Sequence, residues 1–277
     1  TGAAMGFGMN FKEAILAVIV GNVILSVYGG LIGAAGAREG VSTSMLARHT
    51  FGREGSKVIG ILLAAVMAGW YAVQVGFFGS TMSALFPNGG IITSQYVAAF
   101  WGGILMMVTA YMGYKGLNIL SYIAVPSIAI LSVVGVCVAV KGSGGWNAIM
   151  NLVPPKPMTI SASIVAIVGS FAGGAAAQSD ITRYAKDAKT SWLGTVFGYL
   201  IANTFVILAG YLITAATGES DPPVAFLAMG LGVAALLILI LAQWTTNDNN
   251  LYTASLGLSN CLPFSKHKIV VVTGVLA

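Results

Sequence analysis

The sequence predicts an all-α integral membrane protein with several transmembrane helices, and three observations support this fold class. First, 57% of the 277 residues are apolar, only 8% are charged and the mean hydropathy is +0.89, which leaves too few charges to cover a water-soluble globule. Second, several apolar stretches reach the roughly 20 residues that a helix needs to cross a hydrocarbon core. Third, basic residues concentrate in alternate loops. The lipid bilayer is therefore the predicted solvent of this chain.

Seven apolar segments are predicted to cross the membrane as helices. They run from Phe11 to Ala35, Lys57 to Leu85, Gln95 to Met112, Leu117 to Val140, Ile160 to Tyr184, Trp192 to Ala216 and Val224 to Leu258. Thr1 to Met9 is interpreted as the tail of an earlier span, and Ile269 to Ala277 as the start of a later one. We therefore expect residues 1–277 to be a truncated piece of a single transmembrane domain.

The loops predict the orientation, because Lys and Arg collect on the cytoplasmic side of membrane proteins. Ten of the 13 basic residues fall in one set of loops: Arg38, Arg48, Arg53, Lys57, Lys115, Arg183, Lys186, Lys189, Lys266 and Lys268. This set is predicted to be cytoplasmic. In the first of these loops, Ser42 or Thr43 is expected to cap a short helix.

The same charges exclude other classes of protein. A net charge of +5 spread between apolar spans forms no concentrated basic face, so nucleic acid is not an expected partner. The sequence contains no HExxH, GxSxG or Walker motif, and His49 and His267 lie in predicted loops. We therefore expect no enzyme, no catalytic residues and no cofactor.

Two glycine-rich segments depart from a regular transmembrane helix. Thr1 to Gly8 and Gly169 to Ala177 are predicted to be unwound, and unwound backbone at membrane depth is tolerated only against protein or a wet cavity. Their separation by five spans predicts two inverted five-span repeats, residues 1–140 and 160–277, with a binding site between them. The alternative is simple helix packing, because Gly169 and Gly173 also form a small-xxx-small motif.

Polar and aromatic side chains within the spans are candidates for that site. The hydroxyls of Thr245 and Thr246 suit a hard cation such as sodium, although threonine also bonds to its own helix. Asp248 is either functional or a capped, paired or hydrated group near the cytoplasmic interface. Trp70 and Phe171 could sandwich a flat aromatic solute, but periodicity alone favours core packing for both. Asp180 and Arg183 are expected to pair.

Four segments closely resemble cytosine permeases of the nucleobase–cation symporter family. They are ILAVIVGN (15–22), STSMLARHTFG (42–52), IVGSFAGGAAAQSDITRY (167–184) and QWTTNDNNLYTASLGLSN (243–260). The resemblance implies a five-plus-five inverted-repeat transporter with broken first and sixth helices, which imports its solute with sodium by alternating access.

The resemblance also implies a set of site residues. Trp70 and Phe171 match the two rings that stack on the base, and Ser170 and Gly173 flank the broken helix. Thr245, Thr246 and the Ala242 carbonyl match the sodium ligands. Met67 and Ala242 occupy positions where the family usually carries Gln and Asn, so these two substrate-site positions cannot read a base edge in the same way.

The sequence thus predicts a sodium-coupled importer of a nucleobase such as cytosine, a multi-pass and monomeric protein of the inner membrane. Uptake of hydroxymethylpyrimidine or another vitamin precursor is an alternative. A non-transporting, truncated membrane protein is another. A channel is disfavoured, because neither a ring of like charges nor a carbonyl filter is visible in the sequence.

Overall fold

The protein is a bundle of long helices, seen here in a computed structural model. It describes the backbone of residues 1–277 and the side chains of all but residues 222–223, 233–235 and 237–239. The helices are α1 Gly2–Gly8, α2 Phe11–Glu39, α3 Thr43–Leu46, α4 Arg48–Leu85, α5 Gln95–Met112, α6 Tyr114–Gly142, α7 Trp146–Met150, α8 Ile160–Ala176, α9 Gln178–Thr182, α10 Ala188–Val196, α11 Thr204–Thr217, α12 Pro222–Ala228, α13 Gly232–Ser259 and α14 Lys266–Leu276. A 3₁₀ turn covers Gly90–Thr93, and a π-helical segment, Phe197–Asn203, joins α10 to α11.

Each predicted span is mostly helical, but the prediction of continuous spans is wrong for the fifth, which is interrupted at Ala177, and for the seventh, Val224 to Leu258, which is divided between α12 and α13. Among the described residues, five helices are long and apolar enough to cross a membrane: α2, α4, α5, α6 and the continuous unit Ala188–Thr217 formed by α10, the π-helical segment and α11. The shorter α8 has 17 residues and is equally apolar in character. The seventh span is α13, which has 28 residues and lies partly outside the described side chains. These helices make the chain a multi-pass membrane protein.

The chain is interrupted near both glycine-rich segments, but the expectation of an unwound Thr1 to Gly8 is wrong. Gly2–Gly8 is helical, and the chain becomes extended only at Met9 and Asn10, whose side chain accepts a hydrogen bond from the Glu13 amide. The helix α8 runs through Gly169 and Gly173 without unwinding and is interrupted at Ala177. The expectation of an unwound Gly169 to Ala177 is therefore wrong for its first eight residues, because glycine permits a break and apolar surroundings favour intrahelical hydrogen bonds.

Packing divides the long helices into two groups. The helix α8 packs mainly on α2, and α10 and α11 also pack on α2, whereas α13 packs on α4, α5, α6 and α14. The second group thus contains α4, α5, α6, α13 and α14. Within it, α4 contacts α8 over a short stretch around Gly173. The two groups also meet where α11 packs on α6. A site between α8 and the second group therefore lies beside α4.

The loop between α2 and α4, which contains α3, is fixed by a carboxylate and not by its own hydroxyls. Ser42 is the N-cap of α3, but its side chain accepts no capping bond. Instead, the buried Asp180 accepts a 2.7 Å hydrogen bond from the Thr43 amide. Arg183 donates to the hydroxyls of Tyr184 and Tyr252, both at 2.8 Å. The expected Asp180–Arg183 ion pair is therefore wrong, since among the described side chains only Lys57 and Glu54 form a salt bridge.

Candidate functional site

The site begins where α4 touches α8. Met67 is buried, at 3% exposure, and its Cε lies 2.6 Å from the position that a Cβ on Gly173 would occupy. Val66 Cγ1 lies 3.0 Å from the same point. Since real Cβ atoms do not approach so closely, a larger residue at position 173 would require the end of the Met67 side chain to move, and glycine allows the contact without this shift. The structure thus brings together Met67 and Gly173, two of the predicted site residues.

Open space begins one turn away from this contact. Trp70 lies three residues beyond Met67 on the same face of α4, and Gly169 and Ser170 lie one turn before Gly173 on the facing side of α8. No atom of the described side chains lies within 4 Å of a Cβ built at Gly169. Trp70 is 38% exposed, although it lies in the middle of a span. We refer to the region beside the Met67–Gly173 contact, with Trp70 on α4 and Gly169 and Ser170 on α8, as the α4–α8 cleft.

Phe171 borders the cleft but faces a different neighbour. It follows Ser170 by one residue, which rotates its side chain by about 100° around α8. Its ring meets the ring of Tyr199 edge-on, at a centroid distance of 6.1 Å and an interplanar angle of 79°. Phe171 remains 41% exposed, and among the described aromatic side chains Tyr199 is its partner rather than Trp70. The rings of Trp70 and Phe171 are therefore not packed against each other.

Ser170 offers the cleft a hydrogen-bond acceptor. Its hydroxyl donates to the Ile167 carbonyl at 2.8 Å, which occupies its only proton. The lone pairs of the oxygen stay free to accept a bond from a solute. Together, the cleft supplies aromatic faces and one hydroxyl oxygen, which are the groups that hold a flat, hydrogen-bonding heterocycle.

The predicted sodium ligands lie on α13, on the opposite side of α4. The hydroxyl of Thr245 donates to the carbonyls of Leu241 and Ala242, both at 3.0 Å, and the hydroxyl of Thr246 donates to Ala242 at 2.9 Å. Both hydroxyl oxygens keep lone pairs, so they fit a hard cation. The Ala242 carbonyl already accepts two hydroxyl bonds in this arrangement. It can serve an ion only after these hydroxyls turn toward that ion.

The polar run after these threonines is packed inside the protein. Asn247 is fully buried and donates to the Tyr71 carbonyl at 3.3 Å, which ties α13 to the residue next to Trp70. Asp248 is also fully buried, and its Oδ1 accepts a 3.3 Å bond from Asn249. Its Oδ2 has no partner among the described side chains, and none of their cationic groups lies within 4.0 Å. The reading of Asp248 as a hydrated, capping or paired group at the interface is therefore wrong.

Two residues near the cleft are absent from the sequence-based prediction. Tyr199 contacts Phe171, and its hydroxyl lies 3.4 Å from Oε1 of Gln178, the first residue after the interruption at Ala177. No motif marks Tyr199, because its orientation depends on the π-helical segment. Gln178 falls inside a segment that resembles the family, but its partners come from another helix. Only the packing of α10 and α11 reveals both.

Comparison with known proteins agrees with this architecture. The family described as "Permease for cytosine/purines, uracil, thiamine, allantoin" matches residues 1–277. Cytosine permease of Escherichia coli K12 is 34% identical over 276 residues, which cover 100% of this chain and 65% of that protein. Purine-uracil permease NCS1 of Arabidopsis thaliana is 32% identical over 87 residues, covering 31% of this chain and 14% of that protein.

A solved structure shares the fold. It is that of Mhp1, a nucleobase-cation-symport-1 family transporter, in a closed conformation with bromovinylhydantoin bound, and it superimposes with a TM-score of 0.80 at 21% identity. The match covers 99% of this chain and 65% of that one, so the sequence spans about two thirds of the length of its relatives. The match over all 277 residues and the 34% identity to a full-length relative show that this chain belongs to the family of permeases for cytosine/purines, uracil, thiamine and allantoin, which are transporters and not enzymes.

Proposed function

We propose that the full-length protein imports a nucleobase such as cytosine, coupled to sodium, by alternating access. The observation that carries this proposal is the α4–α8 cleft, where the half-exposed rings of Trp70 and Phe171 border open space beside the helix interruption at Ala177. A planar base can stack on such rings while Ser170 accepts one of its N–H groups. The likeness to a cytosine permease supports this class of substrate.

The two packing groups support the transport mechanism. The first group, α2, α8, α10 and α11, is held together by close helix contacts, and it touches the second group beside the cleft. Rocking of one group against the other would expose the cleft to either side of the membrane in turn. In this proposal, residues 1–140 and 160–277 contribute the two inverted repeats. The protein works as a monomer in the inner membrane.

Sodium is proposed to bind the hydroxyl oxygens of Thr245 and Thr246. Both side chains lie on the helix that contacts α4 behind Trp70, through the bond from Asn247 to the Tyr71 carbonyl. A cation on α13 can therefore influence the helix that carries the stacking ring. Energy coupling requires such a connection between the ion and the solute.

A second candidate substrate is hydroxymethylpyrimidine or a related vitamin precursor. By the resemblance, Met67 presents a thioether where the family carries an amide, and this buried side chain lies against Gly173 beside the cleft. Ala242 lacks an amide in the same way. A binding surface without hydrogen-bond donors favours a ring that carries apolar substituents. It disfavours a base whose donors and acceptors all need partners from the protein.

A ligand screen of the full-length purified protein tests both candidates. We would measure the melting temperature with each nucleobase and each pyrimidine precursor, in sodium and in potassium. Stabilisation by one base in sodium alone is the expected result, and it would identify the substrate. Equal melting temperatures for all compounds would contradict the proposed function.

A further inference from the structure

The span formed by Ala188–Thr217 contains a π-helical segment at its centre. Phe197–Asn203 forms i→i+5 turns, which widen the helix and rotate the side chains relative to a regular α-helix. Such segments are rare and are held in place by specific contacts. Here the contacts come from α2, where the fully buried Asn22 donates to Thr204 Oγ1 at 2.9 Å and accepts from Asn203 Nδ2 at 2.8 Å. In an apolar environment these bonds fix the end of the π-helical segment.

The segment directs Tyr199 into a slot between α2 and α8. A Cβ built on Gly29 would lie 3.1 Å from Cε2 of Tyr199, and one built on Gly174 would lie 3.8 Å from its hydroxyl. The ring therefore fills the space that these two glycines leave. At the end of the slot it contacts two parts of α8 and α9, the ring of Phe171 and the amide of Gln178.

These two contacts differ in quality. The edge-to-face approach to Phe171, at 6.1 Å and 79°, has favourable geometry for an aromatic pair. The hydroxyl bond to Gln178 is long, at 3.4 Å, and Gln178 also donates to Thr195 Oγ1 at 3.2 Å. The ring of Tyr199, more than its hydroxyl, therefore determines the orientation of Phe171.

We propose that Tyr199 is a positioning residue that acts through Phe171, holding this ring at the rim of the α4–α8 cleft in the orientation that stacks on the substrate. This inference rests on the proposed function, since it assigns a role within the same site. It predicts that selectivity for flat heterocycles depends on a side chain that does not itself touch them. The π-helical segment, held by Asn22, is the structural cause of this arrangement.

The test compares Tyr199→Phe and Tyr199→Leu in the full-length protein. Tyr199→Phe keeps the aromatic edge, so the Kd for cytosine should stay within about twofold of the wild-type value. Tyr199→Leu keeps apolar volume but removes the edge, and the Kd should rise about fivefold, the middle of the range for an aromatic pair. The sodium concentration that gives half-maximal binding should not change. Phe197→Leu is the matched control, because Phe197 lies in the same segment and is 65% exposed.

A mutant cycle separates positioning from general damage. In a Phe171→Leu background, Tyr199→Leu should have no further effect on the Kd, because its action requires the Phe171 ring. An independent fivefold loss in that background would overturn the proposal, as would wild-type affinity for Tyr199→Leu alone.

A measurement without ligand keeps this inference distinct from the proposed function. With 4-fluorophenylalanine at position 171, the ¹⁹F resonance should move in Tyr199→Leu and stay in place in Tyr199→Phe. An unchanged resonance in Tyr199→Leu would refute the positioning role. Failure of the wild-type protein to bind any base, with the resonance moving as expected, would refute the proposed function and leave the positioning contact established.

Discussion

The two faces of α8 are packed in opposite ways. On the α2 side, glycines of α2 admit side chains of α8 and α9 at very short range, with Gly21 against Ile167, Gly29 against Ala175 and Gly36 against Ser179. On the α4 side, close contact is confined to Gly173, and a Cβ at Gly169 would meet open space. The difference teaches that one helix can be fixed to one partner and remain separable from another.

This asymmetry follows from the physics of helix packing in a bilayer. Because lipid tails are as apolar as the side chains, helices associate through close van der Waals contact and buried hydrogen bonds, and not through exclusion of water. The α2 face has both, since Ser179 and Thr182 also donate to carbonyls of the α2 side. The α4 face has few such contacts, which leaves room for a solute.

The largest expected effect comes from adding a large side chain where α8 and α9 pack closely on α2. In Gly36→Leu, the new side chain would collide with Ser179, including its Cα at 2.8 Å from the built Cβ, so backbone must move. We expect a loss of about 3 kcal/mol of stability, measured as a fall in the thermal unfolding temperature in detergent. The control is Gly169→Ala on the open face, where the added methyl meets no described atom and better helix propensity favours equal or higher stability. Equal destabilisation by both variants would contradict the asymmetry.

The next effect concerns the open face. Trp70→Ala should weaken cytosine binding by about 2 kcal/mol, or about thirtyfold, because stacking on one aromatic face contributes about 1–3 kcal/mol per base. Isothermal titration in sodium measures this. Phe77→Ala is the control, since Phe77 lies on the same helix, two turns away, and is 56% exposed. Unchanged affinity in Trp70→Ala would remove Trp70 from the cleft's function.

A smaller effect is expected for the two proposed sodium ligands, Thr245 and Thr246, which lie on α13. Thr246→Ala should raise the sodium concentration for half-maximal base binding about fivefold, the equivalent of about 1 kcal/mol for one neutral oxygen ligand. Thr246→Ser should restore the wild-type value. Ser127→Ala is the control, because the Ser127 hydroxyl bonds its own helix in the same way, to Ile123 at 2.7 Å. A sodium titration of Thr246→Ala that overlays the wild-type curve would place the ion elsewhere.

The smallest effect is expected at the N-terminus of α10, in the group of helices that packs on α2. Asp187 caps α10 by accepting a 2.7 Å bond from the Thr190 amide, and this bond lowers the pKa of its carboxyl below the usual value. The stability that the cap contributes is therefore present at neutral pH and is lost as the pH falls through the lowered pKa. Between pH 5 and pH 3 (about one unit either side of an ordinary aspartate pKa), the melting temperature of the wild type should fall slightly more than that of Asp187→Asn. Parallel curves would show that the cap is irrelevant to stability.

The breaks show how far sequence reasoning extends. Glycine content predicted unwound backbone at Thr1 to Gly8 and Gly169 to Ala177, whereas the chain leaves the helix at Met9–Asn10 and at Ala177. Glycine removes the steric penalty for leaving the helix without supplying a partner for the freed backbone groups. The partners come from tertiary contacts, such as the bonds from Lys156 to Phe7 and from Met158 to Gly8.

The candidate site shows the same division. The structure brings Met67 and Gly173 into contact and sets Phe171 against Tyr199, while the binding roles of Met67, Trp70, Ser170, Phe171 and Gly173 stay predictions. The failed Asp180–Arg183 pair has a similar origin. Helical spacing allows the pair, but the Thr43 amide and the Tyr252 hydroxyl, more than 60 residues away in sequence, offer the two groups better partners.

The sequence by itself determined the solvent of this protein, its all-helical fold and the family to which it belongs. Apolar length and loop charge act locally, and each can be counted along the chain. Only the tertiary structure decided which face of α8 is closed, where the α4–α8 cleft opens and how the π-helical segment directs Tyr199 to Phe171. Those features depend on contacts between residues far apart in the chain, whose geometry no local pattern encodes.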